Sequence, residues 1–351
     1  MINGNVGHAI VGLGGMGNFH RELVKTIDGL ETVGSFDIKE DRQQFARDNG
    51  LIAYDSLEDL LADERIDIVL CSTPNDAHKD IVIKALRAGK NVVCEKPVAM
   101  SSAEFQEMID VSKETGKVFA VHQNRRWDQD FLTIKKVYEE KMLGPVFRIE
   151  SRVHGSRGIP GDWRQEPEHG GGMVLDWGVH ILDQALLWIP EKVKRVFASF
   201  TNVTNEIVED GFTVELTFES GLTYMVEVGT SNFINLPRWY MLGREGTAVI
   251  EGFRSTECKV VRVTDWSKND AVPIRTSAGL TKTMAPRTKD TIKEEFVPLV
   301  ESDLRDYYRN IMATIAGKEE QIVKNDEVMR VMKLMEAIFE SAKTHQVVEF
   351  E

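Results

Sequence analysis

The chain has 351 residues, of which 42% are hydrophobic and 28% charged, and it carries a formal net charge of −13. This length exceeds what one hydrophobic core usually organises, so we expect two domains. The acidic balance argues against a nucleic-acid partner, which requires a basic surface to neutralise phosphates. No segment approaches the ~20 consecutive apolar residues that span a bilayer. The N-terminus also lacks the basic and long apolar regions of a signal peptide.

The cysteines indicate neither a metal site nor a disulfide framework. Cys71, Cys94 and Cys258 are an odd number without metal-type spacing. The first two end strand-like apolar runs, where a small buried thiol is the simplest interpretation. This pattern favours a reducing cytoplasm and predicts no bound metal.

The first third of the chain alternates strand patterns with helix patterns. The strand candidates between residue 6 and about residue 122 are VGHAIVGL, TVGSFD, IDIVLCST, NVVCEK and KVFAVH. The segments between them space their apolar residues at helical intervals. Such alternation predicts an α/β domain with a doubly wound parallel sheet, and we place it at residues 1–123.

The first strand runs into a glycine-rich turn. Gly12, Gly14 and Gly17 follow a strand and precede a helix, and Asp37 stands 20 positions further on. A lone GxGxxG pattern is weak evidence, but this context predicts dinucleotide binding rather than an empty doubly wound fold. Asp37 can accept hydrogen bonds from an adenosine ribose and would repel a 2′-phosphate, which favours NAD(H). The nearby Lys39 and Arg42 leave NADP(H) open as an alternative.

Two further strand ends carry unusual residues. Residues 72–78 read STPNDAH, and residues 95–97 read EKP. Ligands of an open parallel sheet bind beyond the carboxyl ends of the strands, so these loops should face the glycine turn. Ordinary turn chemistry accounts for Pro74 and Asn75 but not for Lys96 after a buried strand. His78 alone is more typical of a satisfied histidine at a helix start than of a ligand.

The pattern changes after residue 123. Residues 146–154 and 212–228 alternate apolar and polar side chains, and the latter segment contains a Ser220-Gly221 turn typical of an antiparallel hairpin. Further strands follow at EGTAVIEGF and ECKVVRVTDW. We therefore predict a second, α+β domain at 124–351 with one large, mostly antiparallel sheet. A last long helix there should pack its apolar stripe into the core, towards the first domain.

One predicted helix combines burial with charge. Residues 173–187 are apolar nearly all round, yet Asp176, His180 and Asp183 share a helical face. A purely structural Asp–His pair is one interpretation, and a zinc site lacks an obvious third ligand. The alternative to a structural pair is an acid/base pair, in which a carboxylate fixes the tautomer of the imidazole and raises the imidazole's proton affinity.

Six segments together resemble one known family. GLGGMG, STPNDAH, CEKPVAM, HQNRRW, GDWR and GGGMVLDWGVHILD stand in the order of the glucose–fructose oxidoreductase/inositol dehydrogenase/rhizopine catabolism (Gfo/Idh/MocA) group. The resemblance covers essentially the whole chain. HQNRRWD and SRVHGSRGIPGDWR look most like the branch of sugar and scyllo-inositol dehydrogenases.

The resemblance implies roles for individual residues. The implied cofactor contacts are Gly12, Gly14, Gly15, Met16, Gly17, Asp37, Ile38, Arg42, Ser72, Thr73, Pro74, Asn75, His78, Glu95, Lys96, Pro97, Asn124, Trp163 and Arg164. The implied substrate contacts are Lys96, Arg126, Trp127, Asp162, Asp176 and His180. Glu95 would hold the nicotinamide-side ribose, and the Lys96–Pro97 bond is typically cis in such proteins. Surface or interface packing is the alternative for the Arg126-Trp127 and Trp163-Arg164 pairs.

The implied catalytic set is Lys96, Asp176 and His180. The resemblance implies an NAD(P)-dependent dehydrogenase that oxidises a secondary hydroxyl of a sugar, inositol or glycoside. His180 would take the hydroxyl proton, Asp176 would orient the imidazole, and Lys96 would bind the reacting oxygen.

Two alternatives to this function stay open. One is a redox-neutral, NAD-retaining enzyme that acts by elimination or glycosidic cleavage, and the other is a catalytically silent sensor. We expect a small-molecule polyol or sugar as partner, no nucleic acid and no membrane. A homodimer or homotetramer would form through the second sheet.

Overall fold

The computed structural model describes residues 4–268 and 272–351. The first part of the chain forms a six-stranded parallel sheet in the order β3-β2-β1-β4-β5-β6. Its strands are β1 (Val6–Val11), β2 (Leu30–Phe36), β3 (Ile52–Ala53), β4 (Ile68–Cys71), β5 (Asn91–Cys94) and β6 (Phe119–Val121). Its helices are α1 (Gly15–Val24), α2 (Glu40–Asp48), α3 (Leu57–Ala62), α4 (His78–Arg87) and α5 (Ser102–Thr115). The predicted α/β class is confirmed. The edge strand β3 was not predicted, because a strand of two residues is too short to show an alternating hydrophobic pattern.

The central strands of this sheet bring three loops together. Nearly every residue of β1, β4 and β5 is buried, and successive side chains point to opposite faces, so both faces are covered. Val11 lies opposite Cys71, and Cys71 lies opposite Cys94. The three strands therefore end at one edge, where the glycine turn, residues 72–77 and residues 95–97 begin.

The second sheet has nine strands in the order β16-β13-β12-β11-β7-β10-β9-β8-β17. They are β7 (Val146–His154), β8 (Val193–Thr201), β9 (Gly211–Phe218), β10 (Thr223–Gly229), β11 (Trp239–Gly243), β12 (Gly246–Ile250), β13 (Glu257–Val263), β16 (Ile292–Pro298) and β17 (Val348–Glu349). β14 (Ile274–Thr276) and β15 (Gly279–Thr281) form a separate hairpin. Among the described strands, only β7 and β10 pair in parallel within this sheet. The large antiparallel sheet and the hairpin at Ser220-Gly221 are confirmed.

Four further helices lie in the second part of the chain. They are α6 (Gln129–Glu139), α7 (Val179–Trp188), α8 (Arg305–Ile315) and α9 (Asn325–Thr344). The predicted stripe of α9 is buried, and the helix reaches the first sheet, because Ser102 N–H donates to Glu336 at 2.7 Å and Asn325 donates to the Phe119 carbonyl at 3.1 Å. No helix in the described part of the chain is long and apolar enough to cross a membrane. The division between residues 123 and 124 stays a prediction.

The helix predicted over 173–187 is interrupted. Residues Val174–Gly178 form a π-helical turn, and the regular helix α7 begins at Val179. A π turn takes more residues per turn than an α-helix, so the geometry between Asp176 and His180 differs from the regular i, i+4 spacing of an α-helix.

Candidate active site

The loops at the carboxyl edge of the parallel sheet line a crevice of about 690 Å³ together with residues of the second part of the chain. Its lining residues are Val11, Gly12, Gly14, Gly15, Met16, Phe36, Asp37, Ile38, Lys39, Arg42, Ser72, Thr73, Pro74, Asn75, Ala77, Ile81, Glu95, Lys96, Asp162, Trp163, Arg164 and Asp176. Most of the residues implied for cofactor contact are brought together here. The hydrophobic residues Val11, Phe36, Ala77 and Ile81 were not predicted, since nothing distinguishes them from core residues in the sequence.

The glycine turn leaves room for a phosphate group. Gly12 has a φ of +91°, and a Cβ on Gly17 would lie 2.2 Å from the Gly12 carbonyl oxygen, so side chains are excluded at both positions. A Cβ on Gly14 or Gly15 would meet nothing within 4 Å, which leaves open space at the start of α1. No side chain caps α1, and its first turn holds no acidic residue. Free N–H groups at a helix start favour an anion, so the turn suits a pyrophosphate.

Asp37 supports the turn as well as lining the crevice. Its Oδ2 accepts from the Leu13 N–H at 2.8 Å, and its Oδ1 accepts from the Lys39 N–H at 2.9 Å. Each carboxylate oxygen has further lone pairs, so a ribose hydroxyl can still bind. The exposed Ile38 and Arg42 stand beside it at the same end of the crevice.

Lys96 bridges the two parts of the chain. Its Nζ donates to the backbone carbonyl of Asp176 at 2.9 Å and to the Asp176 carboxylate at 3.2 Å. Arg164 donates to the same carboxylate at 3.3 Å. Burial raises the pKa of Asp176, but the charges of Lys96 and Arg164 outweigh it, and the net pKa lies below the usual value. The carboxylate is therefore ionised and holds two cations at the crevice wall.

The segment 155–172 covers one side of the crevice. It carries Asp162, Trp163 and Arg164, and Arg164 donates to Asp162 at 2.9 Å. The segment is tied to the first sheet, since the Asn75 side-chain amide donates to the Gly170 carbonyl at 3.0 Å. The implied pair Trp163-Arg164 thus lies in the crevice wall, with the guanidinium stacked 4.6 Å from the Trp163 ring.

His180 lacks the partner that the sequence analysis gave it. The Asp176 carboxylate bonds Lys96 and Arg164, while Nδ1 of His180 is buried without a hydrogen-bond partner in the described structure. Burial, and after it the charges of Lys96 and Arg125, hold the pKa of His180 well below its usual range. The expectation that a carboxylate raises its proton affinity was wrong, and the imidazole is neutral near pH 7.

Arg126 is directed away from the crevice. It forms a two-bond pair with Asp183 at 2.6 and 2.8 Å, and it also donates to Glu327 at 2.5 Å. These groups line a different cavity of about 650 Å³. Trp127 packs against Tyr307, with ring centroids 5.8 Å apart. The packing alternative therefore describes both residues better than substrate contact, and Asp183 belongs to this ion pair.

Four other predicted residues lie behind the crevice wall. His78 is fully buried, with its ring nitrogens 3.0 Å from the carbonyl oxygens of Pro97 and Thr73. Pro97 follows a cis peptide bond, as the resemblance implied. Gly17 and Asn124 are also absent from the lining. These residues support the loops rather than lining the crevice.

Glu95 belongs to a buried network that the sequence did not reveal. His20 Nε2 and His122 Nδ1 both donate to Glu95 Oε1, at 2.7 and 2.8 Å. Tyr308 Oη lies 2.6 Å from His20 Nδ1. We call Glu95, His20, His122 and Tyr308 the Glu95 cluster. Burial raises the pKa of Glu95, but His122 and His20 hold it well below the usual range.

The members of the Glu95 cluster come from four distant segments. His20 lies on α1, His122 follows β6, and Tyr308 lies on α8. His122 stands inside the quoted segment HQNRRW, which was the one available signal. No spacing in the sequence connects Tyr308 with residues near the N-terminus.

This arrangement defines a class of protein. A parallel sheet with a glycine turn, an acidic residue after β2 and a lysine–carboxylate pair at the same crevice is the organisation of a nicotinamide-dinucleotide oxidoreductase. Residues 6–123 match the oxidoreductase family with an NAD-binding Rossmann fold, and residues 131–249 match the Gfo/Idh/MocA C-terminal domain. The chain belongs to the Gfo/Idh/MocA family and is an NAD(P)-dependent oxidoreductase.

Relatives extend over most of the chain. It is 32% identical over 325 residues to an uncharacterised oxidoreductase of Schizosaccharomyces pombe, covering 85% of each chain. It is 28% identical over 303 residues to a scyllo-inositol 2-dehydrogenase (NADP+) of Bacillus subtilis, covering 84% of this chain and 82% of the relative. The crystal structure of an NAD-binding protein from Listeria innocua superposes with a TM-score of 0.94 at 47% identity. That match covers 98% of this chain and 99% of the other.

Proposed function

We propose that this protein oxidises a secondary hydroxyl of a sugar, inositol or glycoside to a ketone, or catalyses the reverse reduction. The observation that carries the proposal is the contact between Lys96 and Asp176, which brings a lysine from the parallel sheet and a carboxylate from the second part of the chain to one crevice. The inositol dehydrogenase among the relatives supports the polyol class.

The cofactor would lie along the sheet edge. Gly14 and Gly15 would receive the pyrophosphate, Asp37 the adenosine ribose, and Glu95 the ribose on the nicotinamide side. When bound, the nicotinamide accepts or returns the hydride. The remaining chemistry, which is proton transfer and charge stabilisation at the substrate oxygen, falls to the protein.

Lys96 and His180 divide that chemistry. The Lys96 ammonium donates a hydrogen bond to the reacting oxygen and stabilises its developing negative charge. The neutral His180 imidazole, which is 5% exposed and lies outside the crevice lining, is the proposed acceptor of the hydroxyl proton in the oxidation direction. Asp176 holds Lys96 in place, a different role from the imidazole contact implied by the sequence resemblance.

The charge of Asp37 favours NAD(H) over NADP(H). Its carboxylate lies where a 2′-phosphate would come close, and repulsion between the two anions disfavours the phosphorylated cofactor. Lys39 and Arg42 line the same end and reduce this preference. We therefore propose NAD as the preferred cofactor.

A spectrophotometric screen tests the function. Polyols, free sugars, sugar phosphates and glycosides are supplied with NAD and NADP in parallel, and lasting formation of reduced cofactor is measured. Turnover without net reduction would instead indicate a redox-neutral enzyme. Binding of NAD and sugar without any turnover would indicate a sensor.

The outer face of the nine-stranded sheet supports a homodimer or homotetramer. α6, α7 and α9 pack on one face. The opposite face presents a row of half-buried side chains that includes Glu150, Met225, Tyr240 and Val249. A second copy of this face can cover such a surface. Light scattering coupled to size exclusion tests the state, and a strictly monomeric protein at assay concentration would refute it.

A further inference from the structure

The Glu95 cluster lies at the nicotinamide end of the crevice. Asp37 follows β2, the glycine turn follows β1, and Glu95 follows β5. The order β2-β1-β4-β5 places Glu95 three strand spacings, or about 14 Å, from Asp37. A dinucleotide with its adenosine ribose on Asp37 and its pyrophosphate on the glycine turn therefore extends its nicotinamide towards Glu95.

The hydrogen bonds within the cluster determine where its protons are. An ionised carboxylate only accepts, so His20 carries its proton on Nε2 and His122 carries one on Nδ1. Burial, with a further contribution from His122, lowers the pKa of His20 to about 4. Its Nδ1 therefore holds a lone pair, and Tyr308 donates to it.

The second ring nitrogen of His122 has no acceptor nearby. Its Nε2 is buried and has no hydrogen-bond partner in the described structure. A proton there would create a buried cationic N–H without an acceptor, which is costly. The geometry of the cluster therefore favours a Glu95 anion that its two imidazoles do not neutralise.

The other charges at this end of the crevice cancel. Lys96 is paired with Asp176, and Arg164 bonds Asp162 and Asp176. Two cations and two carboxylates leave no net charge in this group. Among these five groups of the described structure, the Glu95 anion is therefore left uncompensated beside the position of the nicotinamide.

We propose that the Glu95 cluster makes this crevice bind the oxidised, cationic nicotinamide more tightly than the reduced, neutral one. His20, His122 and Tyr308 act as positioning residues, since their contacts hold Glu95 Oε1 in place. Glu95 Oε2 accepts from the Lys96 N–H at 3.2 Å, and Glu95 is among the residues that line the crevice. The inference rests on the proposed function only for the direction of the cofactor along the sheet edge, and it requires no polyol.

The dissociation constants of NAD⁺ and NADH, measured by calorimetry without substrate, test the charge effect. The adenosine and pyrophosphate groups are the same in NAD⁺ and NADH, so the ratio of the two dissociation constants reports on the nicotinamide end alone. The wild-type protein should bind NAD⁺ more tightly than NADH. Glu95→Gln should reduce that preference on the order of tenfold, because it removes one charge at close range while keeping the shape. Glu95→Asp, which keeps the charge, should retain most of the preference.

Two outcomes would overturn the charge effect. One is a wild-type preference for NADH, which needs no variant. The other is an equal loss of both affinities in Glu95→Gln, which would leave Glu95 only a hydrogen-bonding role. Failure of the polyol screen would contradict the proposed substrate without affecting either result.

Neighbouring tyrosines provide a matched test of positioning. Tyr307 and Tyr308 are both buried, but the Tyr307 hydroxyl has no hydrogen-bond partner in the described structure, whereas Tyr308 bonds His20. Tyr308→Phe should weaken NAD⁺ binding more than NADH binding, because the Glu95 anion is held less firmly. It should also shift the ¹⁵N signal of His20 Nδ1, which loses its hydrogen-bond donor. Tyr307→Phe should do neither. Equal effects of the two variants, or an unchanged His20 Nδ1 signal in Tyr308→Phe, would refute the positioning role.

Discussion

Lys96 donates through Nζ to two oxygens of Asp176, the backbone carbonyl at 2.9 Å and the carboxylate Oδ1 at 3.2 Å. The contact joins the end of β5 to the π-helical turn before α7. One residue thereby fixes both the position and the charge environment of the lysine.

Lys96→Ala should reduce turnover by about 10²- to 10³-fold, because the charged group that is proposed to donate to the reacting oxygen is lost. Binding of NAD should change little, since the glycine turn and Asp37 are untouched. Steady-state kinetics and calorimetry on the same preparation measure both quantities. A variant that keeps most of its activity would remove Lys96 from the mechanism.

Asp176→Asn should lower turnover by less than Lys96→Ala does. The substitution keeps the backbone carbonyl and one side-chain oxygen for Lys96 but removes the negative charge that also holds Arg164. The reduction should appear mainly in kcat, since the substituted group positions the catalytic lysine. An effect confined to KM would indicate that Asp176 binds substrate instead.

Asp37→Asn should shift cofactor preference towards NADP(H). The amide oxygen can still accept from the Leu13 N–H, so the turn is retained while the repulsion of a 2′-phosphate is removed. The ratio of kcat/KM values for NADP and NAD should rise on the order of tenfold. Arg42→Ala is the matched control and should move the ratio in the opposite direction. An unchanged ratio in both variants would show that other groups select the cofactor.

Arg126→Ala should destabilise the protein by about 3–5 kcal/mol, because it leaves the buried Asp183 carboxylate without its partner. The kinetic constants of the folded variant should change little, since Arg126 is not among the residues that line the crevice. Urea denaturation measures the stability. Arg157→Ala on the exposed loop should shift it by less than about 0.5 kcal/mol. A large rise in KM with unchanged stability would restore Arg126 as a substrate contact.

Stability should fall on mild acidification. Burial, and then the charge of His20, lowers the pKa of His8 from 6.5 to about 3, and burial with His122 lowers that of His20 to about 4. Between pH 6.5 and these values the unfolded chain binds more protons than the folded one. The free energy of unfolding should therefore decrease by about 1.4 kcal/mol per pH unit for each histidine as the pH drops from about 6 towards 4.

Denaturation at a series of pH values measures this slope. His8→Gln should remove about a third of the contribution, since one of the three buried histidines with a lowered pKa, His8, His20 and His180, no longer titrates. His345→Asn, at an exposed helix end where asparagine tolerates the positive φ, should leave the slope unchanged. A flat profile in the wild-type protein would contradict the neutral, buried state of these histidines.

Local pattern determined the α/β class, the glycine turn and the hairpin at Ser220-Gly221. Hydrophobic periodicity and turn chemistry act over a few residues and need no knowledge of distant contacts. The position of Lys96 followed from the same logic, because a parallel sheet places the ends of its strands at one edge. The resemblance of six ordered segments supplied the family and its implied functional residues.

Tertiary structure alone decided which of those side chains meet. The Asp176 carboxylate bonds Lys96 and Arg164 rather than His180, and the π-helical turn that carries it leaves no signal in a hydrophobic pattern. Arg126 paired with Asp183 because burial of one charge demands the other, although the two are 57 positions apart. The Glu95 cluster joins α1, two strand ends and α8, and such contacts depend on packing between segments that share no local pattern.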